Sequence, residues 1–379
     1  MQVLFTCVPG HGHLNPMVPL ARELVERGCA VQFVTGSELV SRVESLGLPG
    51  MAAGPTLTEM QTNALADPEV RAALESEPWI VAAAIFAGRA KLVVEDLDGT
   101  GLAPDLVIHD AMEMAGPLIG ARCGVPWVTH GLGPRWPSLV EDAMPSFVDP
   151  LWREHGLDPV ARGGLGHHAY VEICPRAVRS DTSPADDRVI ECRPVALDEP
   201  EVDVVAFAES GRPNVYCTLG TFSNTDAGVF RTVIDAVGSL DIQALLTTGW
   251  GLNRDELGSL PANVLVEEYI PQAQALRHAD LVVCHGGSGT MLASLAAGLP
   301  VVSLPQGADQ FINAPWWSRS GAVDVLQPTD VSPTSLASRI STALEDSDMR
   351  LAAASMKQEI SRMPPPSEVA DRLLELARS

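Results

Sequence analysis

The sequence predicts an α/β protein made of two doubly wound, Rossmann-like domains, and three observations support this. The chain has 379 residues, more than the about 100–200 residues of one typical domain. Two separate stretches each begin with an apolar strand that runs into a glycine-containing turn and then a helix. Aromatic residues make up only 5% of the chain, whereas the small and aliphatic residues typical of buried parallel strands are abundant.

The first domain opens with a strand, a helix and a second strand. The apolar run 3–8 predicts the first strand. Asn15 is expected to cap the helix and Gly28 to close it, and a strand over 30–35 follows. The helix itself is indicated by an apolar stripe at helical spacing, formed by Met17, Leu20, Ala21 and Leu24. Such βαβ units build parallel, doubly wound sheets.

Two later strands, at 106–109 and 126–129, extend the first sheet. The stretch 130–170 is rich in Gly, Pro, Trp and His and lacks a clear period. We therefore interpret it as long loops and short helices beside a binding cleft.

The second domain repeats the alternation of strands and helices. Its strands are predicted at 215–219, 244–248, 281–284 and 301–304, with a helix near 229–240 and another that ends at Ala297 before Gly298. The domains are placed at 1–204 and 205–379. The tail, 366–379, is an amphipathic helix expected to pack back toward the first domain.

The charge and cysteine content exclude several classes of protein. A formal charge of −23 repels phosphate backbones and anionic membranes, so nucleic acid and lipid surfaces are poor partners. The seven cysteines are scattered and contain no C-x-x-C pair, which argues against a disulfide framework or a zinc site. No apolar run is long enough to span a membrane, and the first residues lack a signal peptide's basic region. The expected location is the cytoplasm, as a monomer or homodimer.

The glycine-rich segment after strand 281–284 is the clearest candidate site. A helix that begins there presents unpaired N–H groups and a positive dipole end, both of which favour an anion. Gly286, Gly287 and Gly289 let the backbone approach that anion closely, and the Ser288 and Thr290 hydroxyls can donate to it. The segment is neither a Walker loop nor a clean G-x-G-x-x-G. The alternative is a tight βα turn whose glycines only allow the helix to pack on the sheet.

Neighbouring motifs favour the anion site. The stretch 269–326 contains Y-I-P-Q, H-G-G-S-G-T, L-A-A-G-L-P and D-Q-F-I-N-A. It closely resembles the donor-binding signature of family-1 glycosyltransferases with the GT-B fold, of the bacterial natural-product type. The likeness includes G-H-L-N-P at 12–16 and P-D-L-V-I-H-D at 104–110. It implies two Rossmann-like domains across a cleft and a nucleotide diphospho-sugar as donor.

The resemblance assigns donor-binding roles residue by residue. It implies that His285, Gly287, Ser288, Gly289 and Thr290 hold the diphosphate, opposite the Gly220-Thr221 turn. Tyr269 stands where many relatives stack a Trp on the base, with the Ile270 backbone reading the base edge and Gln272 in the same motif. Asp309 and Gln310 look like the pair that binds sugar hydroxyls.

One departure from the family pattern concerns the ribose. Many relatives carry a Glu three residues after the loop Thr, where it accepts hydrogen bonds from the ribose hydroxyls, but here that residue is Ala293. Alanine cannot hold a 2′-hydroxyl. We therefore expect a thymidine diphosphate (TDP) donor, whose pentose lacks that group. The transferred sugar is separately expected to be a deoxysugar.

Sugar transfer also needs a base that removes the proton of the acceptor hydroxyl. A histidine titrates near neutral pH, and His13 follows the first strand, where α/β sheets place ligand-contacting loops. Asp110, after strand 106–109, belongs to the same edge and can fix the imidazole tautomer. The resemblance assigns His13 as the base and Asp110 as its orienting carboxylate, while His11 does not align with the family's base.

No metal or other cofactor is expected. The loop amides, Thr290 and His285 meet the charge that develops on the leaving diphosphate. Asp96 and Asp98 match the D-x-D pair of metal-dependent transferases, but they end a helical stretch and are interpreted as a solvated helix end. Direct displacement by the acceptor predicts inversion at the anomeric carbon.

The acceptor is expected to be a hydrophobic aglycone bound by the first domain. The candidate contacts are mainly aromatic side chains from unpatterned stretches: Trp79, Phe86, His130, Trp136 and Phe147. Two alternatives stay open from the sequence, namely a nucleotide-sugar epimerase on the same scaffold and a non-catalytic nucleotide-sugar-binding protein. A nicotinamide-dinucleotide site is disfavoured because the glycine pattern differs.

Overall fold

Two all-parallel sheets, of seven and six strands among the described residues, form the framework of the molecule. The computed structural model describes residues 1–74, 76–180, 187–197, 199–200, 202, 207, 211–220, 226–249, 252 and 254–378. The chain divides into two compact units, the first comprising Met1–Ile173, Ser180–Arg193 and Pro364–Ser379 and the second Cys174–Arg179 and Pro194–Met363. The predicted boundary, between residues 204 and 205, lies outside the described residues.

The first unit contains seven strands in the part of the chain that is described. They are β1 (Gln2–Thr6), β2 (Ala30–Thr35), β3 (Gly50–Ala52), β4 (Leu106–Asp110), β5 (Trp127–His130), β6 (Ala169–Glu172) and β7 (Val189–Glu191). Its α-helices are α1 (His11–Leu14), α2 (Val18–Glu26), α3 (Ser37–Ser45), α4 (Leu57–Ala66), α5 (Pro68–Ala72), α6 (Pro78–Ala87), α7 (Arg89–Leu97), α8 (Ala115–Cys123), α9 (Ser138–Glu154) and, at the C-terminus, α16 (Pro366–Leu376).

The second unit has the same alternation. Its described strands are β8 (Asn214–Thr218), β9 (Gln243–Thr247), β10 (Val264–Glu267), β11 (Leu281–Cys284), β12 (Val301–Ser303) and β13 (Val323–Val325). Its α-helices are α10 (Ala227–Gly238), α11 (Gln272–His278), α12 (Ser288–Ala297), α13 (Gln310–Ser318), α14 (Pro333–Glu345) and α15 (Ser347–Arg362).

Each sheet contains one switch point, where the strand order reverses. The first sheet runs β3-β2-β1-β4-β5-β6-β7 and the second runs β10-β9-β8-β11-β12-β13. The reversals lie between β1 and β4 and between β8 and β11. In sheets of this kind ligands bind at the carboxyl ends of the two strands that flank the reversal. The predicted fold class, two doubly wound Rossmann-like domains, is confirmed.

The strand interiors explain why these segments form sheets rather than helices. All five residues of β4 and of β8 are buried, as a parallel sheet covered by helices on both faces requires. Gly298 ends α12 in the left-handed conformation, with φ of 80°, as the sequence predicted for a closing glycine.

The predictions for the helices need two corrections. Asn15 does not cap α2; it lies in a short 3-10 helix, Asn15–Met17, and Met17 is the residue before α2. The stretch 130–170, interpreted as long loops and short helices, contains the 17-residue helix α9, with Pro145 and Pro150 inside it. Prolines normally break helices, which is why the segment looked irregular. Packing overrides that tendency here, because α9 buries one apolar stripe: Val140, Met144, Val148 and Leu151.

The C-terminal helix α16 belongs to the first unit and packs against α2. Val369, Ala370 and Leu373 are buried along it. At the end of α2, Arg27 donates to both carboxylate oxygens of Asp371, at 2.6 and 3.2 Å. The tail thus fixes the helix that follows the first glycine turn of the chain.

Candidate active site

His13 and Asp110 follow adjacent strands at the switch point of the first sheet. Asp110 is the last residue of β4, and His13 lies in α1, the short helix after β1. Because β1 and β4 pair in parallel, both residues lie at the same edge of the sheet. Nδ1 of His13 is 3.3 Å from Oδ2 of Asp110. The structure therefore brings the two predicted catalytic residues into contact.

Asp110 is completely buried, and its carboxylate is held by backbone amides. Oδ2 accepts a hydrogen bond from the N–H of Val8 at 2.6 Å, and Oδ1 accepts one from the N–H of Met112 at 2.6 Å. Burial alone would raise the pKa of this carboxyl, but His13 and the two amides outweigh it and lower the pKa below its usual value. Asp110 is consequently a fixed anion beside the imidazole.

The His13 imidazole faces this anion at ion-pair distance. Its side chain is 21% exposed, whereas that of Asp110 is fully buried. Because Nδ1 lies beside the carboxylate, Nε2 is the nitrogen able to accept a proton from a reactant. A Cβ on Gly10 would lie 3.1 Å from Cδ2 of His13, so a glycine at that position gives the ring its room. The pair has the arrangement of a general base with an orienting carboxylate.

One of the predicted acceptor-binding aromatic residues, Phe86, lies next to His13, and a second, Trp136, lies next to Phe86. The ring of Phe86 is 6.1 Å from the imidazole, and the ring of Trp136 is 5.7 Å from Phe86, edge to face. Trp79 and Phe147 are half-buried and pack against the apolar core of the first unit. An aromatic ring, that of Phe86, therefore lies beside the base.

The two histidines of the neighbouring strand ends are buried and neutral. Nδ1 of His130 lies 2.7 Å from the carbonyl of Gly131, and burial lowers the pKa of His130 to about 4. His109 contacts two backbone carbonyls through Nδ1 and the Thr129 hydroxyl through Nε2. His109 is thus a satisfied core residue, while the acceptor-binding role of His130 stays a prediction.

The glycine-rich loop occupies the switch point of the second sheet. It follows β11, which pairs with β8, and leads into α12, a helix that begins at Ser288. A Cβ on Gly287 would lie 2.4 Å from Nε2 of His285, and one on Gly220 would lie 2.6 Å from the same atom. Both glycines are therefore required by the buried imidazole, in addition to any close approach of a ligand.

His285 is a neutral group in this loop. Only 8% of the residue is exposed, and burial lowers the pKa of its imidazole to about 4, against the effect of a hydrogen bond to the Thr218 backbone. Three buried polar atoms around the loop have no hydrogen-bond partner within the described structure: His285 Nδ1, Ser288 Oγ and Ser303 Oγ. Buried polar groups normally find a partner, so their clustering at a helix N-terminus indicates a polar ligand.

Of the remaining donor-site candidates, Gln272 contacts this loop. Nε2 of Gln272 donates to Oγ1 of Thr290 at 3.0 Å, which leaves the Thr290 hydroxyl proton to donate elsewhere. Tyr269 is 40% exposed, as a stacking platform must be, and its hydroxyl donates to Oε2 of Glu199 at 2.5 Å. Ile270 is buried. Thr221 lies outside the described residues.

The segment after β12 carries the predicted sugar-binding pair. Oδ2 of Asp309 accepts from Nδ2 of Asn313 at 2.7 Å. Oε1 of Gln310 accepts from the backbone N–H groups of Gln306 and Gly307, at 2.7 and 3.1 Å, so its amide nitrogen is the part suited to a sugar oxygen. Sequence reasoning overlooked Asn313 and Glu199. The spacing of Asn313 from Asp309, four residues along a helix, was a usable signal for the first.

Comparison with known proteins places the chain in a family. Residues 231–376 match the family described as erythromycin biosynthesis protein CIII-like, C-terminal domain. The chain is 31% identical to elloramycin glycosyltransferase ElmGT of Streptomyces olivaceus, over 98% of this chain and 97% of that protein. It is 30% identical to L-demethylnoviosyl transferase of Streptomyces niveus, over 100% and 99%. The chain is a GT-B natural-product glycosyltransferase.

The fold of this glycosyltransferase agrees with that of solved relatives. Spinosyn rhamnosyltransferase SpnG, crystallised with thymidine diphosphate, superposes with a TM-score of 0.83 at 25% identity, over 99% of this chain and all of that one. The prediction of a nucleotide-sugar-dependent transferase with the GT-B fold is confirmed. Among the described residues of this enzyme, no helix is both long and apolar enough to cross a membrane.

The two carboxylates of the D-x-D segment, Asp96 and Asp98, each contact another part of the protein. Asp96 accepts from the N–H of Gly54 at 2.8 Å, and Asp98 pairs with Arg122 at 2.8 Å. The two carboxylates thus serve separate contacts at the end of α7. In the described part of the chain, no group of three or more His, Cys, Asp or Glu residues is arranged to hold a metal ion.

Proposed function

We propose that this glycosyltransferase transfers a deoxysugar from a TDP-sugar to a hydroxyl of a hydrophobic natural-product aglycone, with inversion and without a metal. The contact between Nδ1 of His13 and the buried Asp110 carboxylate is the observation that supports it most. A binding protein has no need of such a pair, because its imidazole would not have to change charge. The pair is what proton removal from an acceptor requires.

The proposed reaction is a single displacement. Nε2 of His13 takes the proton of the acceptor hydroxyl while the acceptor oxygen forms a bond to the anomeric carbon. The bond from that carbon to the diphosphate oxygen breaks, and its electron pair leaves with the TDP. The fixed charge of Asp110 stabilises the imidazolium that forms. Attack opposite the leaving group inverts the anomeric configuration.

The second unit binds the donor and stabilises the leaving diphosphate. The N-terminus of α12 supplies amide N–H groups and a positive dipole end, and Ser288 and Thr290 supply hydroxyl donors. These groups are uncharged, so the diphosphate is held by fixed dipoles rather than by a cation. On this view no metal or organic cofactor takes part, and chelators should leave turnover unchanged.

The choice of TDP rests on Ala293. This residue lies on α12 three residues after Thr290, and its methyl group offers no acceptor for a ribose 2′-hydroxyl. A 2′-deoxy donor therefore loses nothing at this position. The thymidine diphosphate bound to the related SpnG supports the same class of donor.

The hydrophobic acceptor rests on the aromatic residues beside the base. Phe86 and Trp136 are half-buried rings within two contacts of His13. Apolar and aromatic walls with one convergent polar group suit the aglycone of a natural product. The names of elloramycin glycosyltransferase and L-demethylnoviosyl transferase support an acceptor of this kind and a modified sugar.

The experiment is a product assay by mass spectrometry with TDP-sugars, UDP-sugars and a panel of polyketide and aromatic aglycones. We expect a glycosylated product with TDP-deoxysugars. Replacing His13 with Ala should lower kcat about 10²- to 10⁴-fold, the usual contribution of a general base. His11→Ala is the matched control, because His11 lies two residues away on α1, and it should retain most of the turnover.

Three results would contradict the proposal. Conversion of the nucleotide sugar without any acceptor indicates an epimerase. Donor binding without turnover on any aglycone indicates a binding protein. Equal losses in His13→Ala and His11→Ala remove His13 as the base.

A further inference from the structure

The loop between β12 and α13 has a strained backbone. Ala308 has φ of 52°, in the left-handed region that a residue with a Cβ avoids, and it directly precedes Asp309. Such conformations persist only where the surrounding structure over-determines them, and they concentrate at ligand-binding sites.

Two buried amide side chains hold the loop from α13. Gln310 is 4% exposed and Asn313 is 2% exposed. Gln310 accepts from two loop amides through Oε1, at Gln306 and Gly307. The N–H of Asn313 donates to the carbonyl of Asp309 at 2.8 Å, and its side-chain amide donates to Oδ2 of Asp309 at 2.7 Å. The first of these bonds is the ordinary helical bond of α13, whereas the second is made by the Asn313 side chain and holds the carboxylate of Asp309.

We propose that Asn313 is a positioning residue that orients the Asp309 carboxylate toward a hydroxyl of the donor sugar. This inference rests on the proposed function, in which Asp309 binds the sugar. A carboxylate that is already oriented loses no rotational freedom when it accepts the sugar hydroxyl. The left-handed backbone at Ala308 and the bonds from Gln310 keep the same loop in one conformation.

The test is a double-mutant cycle on kcat/KM for the TDP-sugar. Asp309→Ala and Asn313→Ala should each lower kcat/KM about 10- to 100-fold, as expected for a hydrogen bond to a charged group. In the Asp309→Ala background, Asn313→Ala should cost less than about twofold, because Asn313 acts through Asp309. The affinity for TDP alone, which lacks the sugar, should change less than twofold in every variant.

Asn263→Ala is the matched control for loss of a buried amide. Asn263 lies in the same unit, is 8% exposed and donates to the carbonyls of Val237, Leu240 and Ile242. Its replacement should lower the thermal unfolding temperature and leave kcat/KM unchanged. A purely structural Asn313 would behave in the same way.

Asn313→Asp covers the case in which Asn313→Ala does not fold. The carboxylate has the same shape as the amide, but it repels Asp309 unless one proton is shared between them. The loss of kcat/KM relative to the wild type should therefore be larger at pH 8 than at pH 5.5. A loss independent of pH would overturn the inference.

The outcomes separate this inference from the proposed function. If Asp309→Ala lowers kcat/KM but Asn313→Ala does not, Asn313 has no positioning role and the proposed reaction stands. If the two losses multiply in the double variant, Asn313 acts independently of Asp309 and the inference fails. If Asp309→Ala leaves kcat/KM unchanged while His13→Ala removes turnover, Asp309 does not bind the sugar. The inference about Asn313 is then wrong as well.

Discussion

At the switch point of the first sheet the chain places an ionisable pair, His13 and Asp110, whereas at that of the second it places glycines, hydroxyls and a neutral histidine. Nδ1 of His13 lies 3.3 Å from Oδ2 of Asp110, and the Asp110 side chain is fully buried. Around the second switch point, burial lowers the pKa of His285 to about 4, so it is uncharged near neutral pH. One architecture thus carries two kinds of chemistry.

In the proposed reaction, this difference matches what each reactant needs. Removing a proton requires a group that changes its charge, and a fixed anion beside it lowers the cost of that change. Holding a diphosphate requires hydrogen-bond donors whose protonation does not change. Backbone amides at a helix N-terminus meet this need without a counter-charge.

Each unit contains a buried, neutral histidine, so acidification should lower the stability of both units. His130 in the first unit and His285 in the second have pKa values of about 4, against an ordinary value of about 6.5. Between these values the unfolded chain binds a proton that the folded chain does not, so the free energy of unfolding falls as the pH drops. Each histidine should remove about 2 kcal/mol between pH 7 and pH 5.

Calorimetric unfolding across that pH range measures this effect. His130→Gln should reduce the pH dependence, since glutamine keeps an N–H donor for the Gly131 carbonyl and does not titrate. An unchanged pH dependence in this variant would show that His130 does not bind a proton on unfolding as described.

The affinity of the second unit for TDP should be sensitive to a single methyl group added to the glycine-rich loop. Gly287→Ala places a Cβ 2.4 Å from Nε2 of His285, and overpacking of this kind costs about 1–3 kcal/mol. TDP affinity, measured by titration calorimetry, should fall about tenfold or more, because the loop must shift. At saturating donor, kcat should stay within a few-fold of the wild type.

Gly238→Ala is the control for that substitution. A Cβ on Gly238 would also lie 2.4 Å from another atom, Cγ of Pro261. Gly238 is, however, the last residue of α10, so it does not lie at a helix N-terminus. It should lower thermal stability and leave TDP affinity unchanged. Equal loss of affinity in both variants would mean that the Gly287 effect is only a loss of stability.

The smallest expected effect concerns the choice of nucleotide. Ala293→Glu adds an acceptor for ribose hydroxyls and should shift the ratio of kcat/KM for UDP-sugar over TDP-sugar upward by about tenfold. Ala293→Gln, which has the same length without the charge, should shift it less. No shift in either variant would remove Ala293 as the source of the nucleotide preference.

Much of this picture was predictable from the sequence, because strand ends and glycine turns are local signals. The positions of β1, β4, β8 and β11 fix both switch points, and with them the places of His13, Asp110 and the glycine-rich loop. Helix α9 was missed because Pro145 and Pro150 lower its local helix propensity, while its stability comes from tertiary packing.

Contacts between residues distant in sequence could not be predicted. The ring contacts of Phe86 with His13 and with Trp136 join three segments that no local pattern connects. The hydrogen bond from Tyr269 to Glu199 spans seventy residues. Such contacts depend on loop paths, which the apolar periodicity of strands and helices does not encode.

The division of chemistry between the two units is tested most directly by Asp110→Asn. Its kcat and its affinity for TDP should be measured on the same preparation, with thermal unfolding to establish that the protein is folded. The account predicts that kcat falls about 10²- to 10⁴-fold, while the dissociation constant for TDP changes less than twofold. An unchanged kcat, or a loss of TDP affinity as large as the loss of turnover, would contradict it.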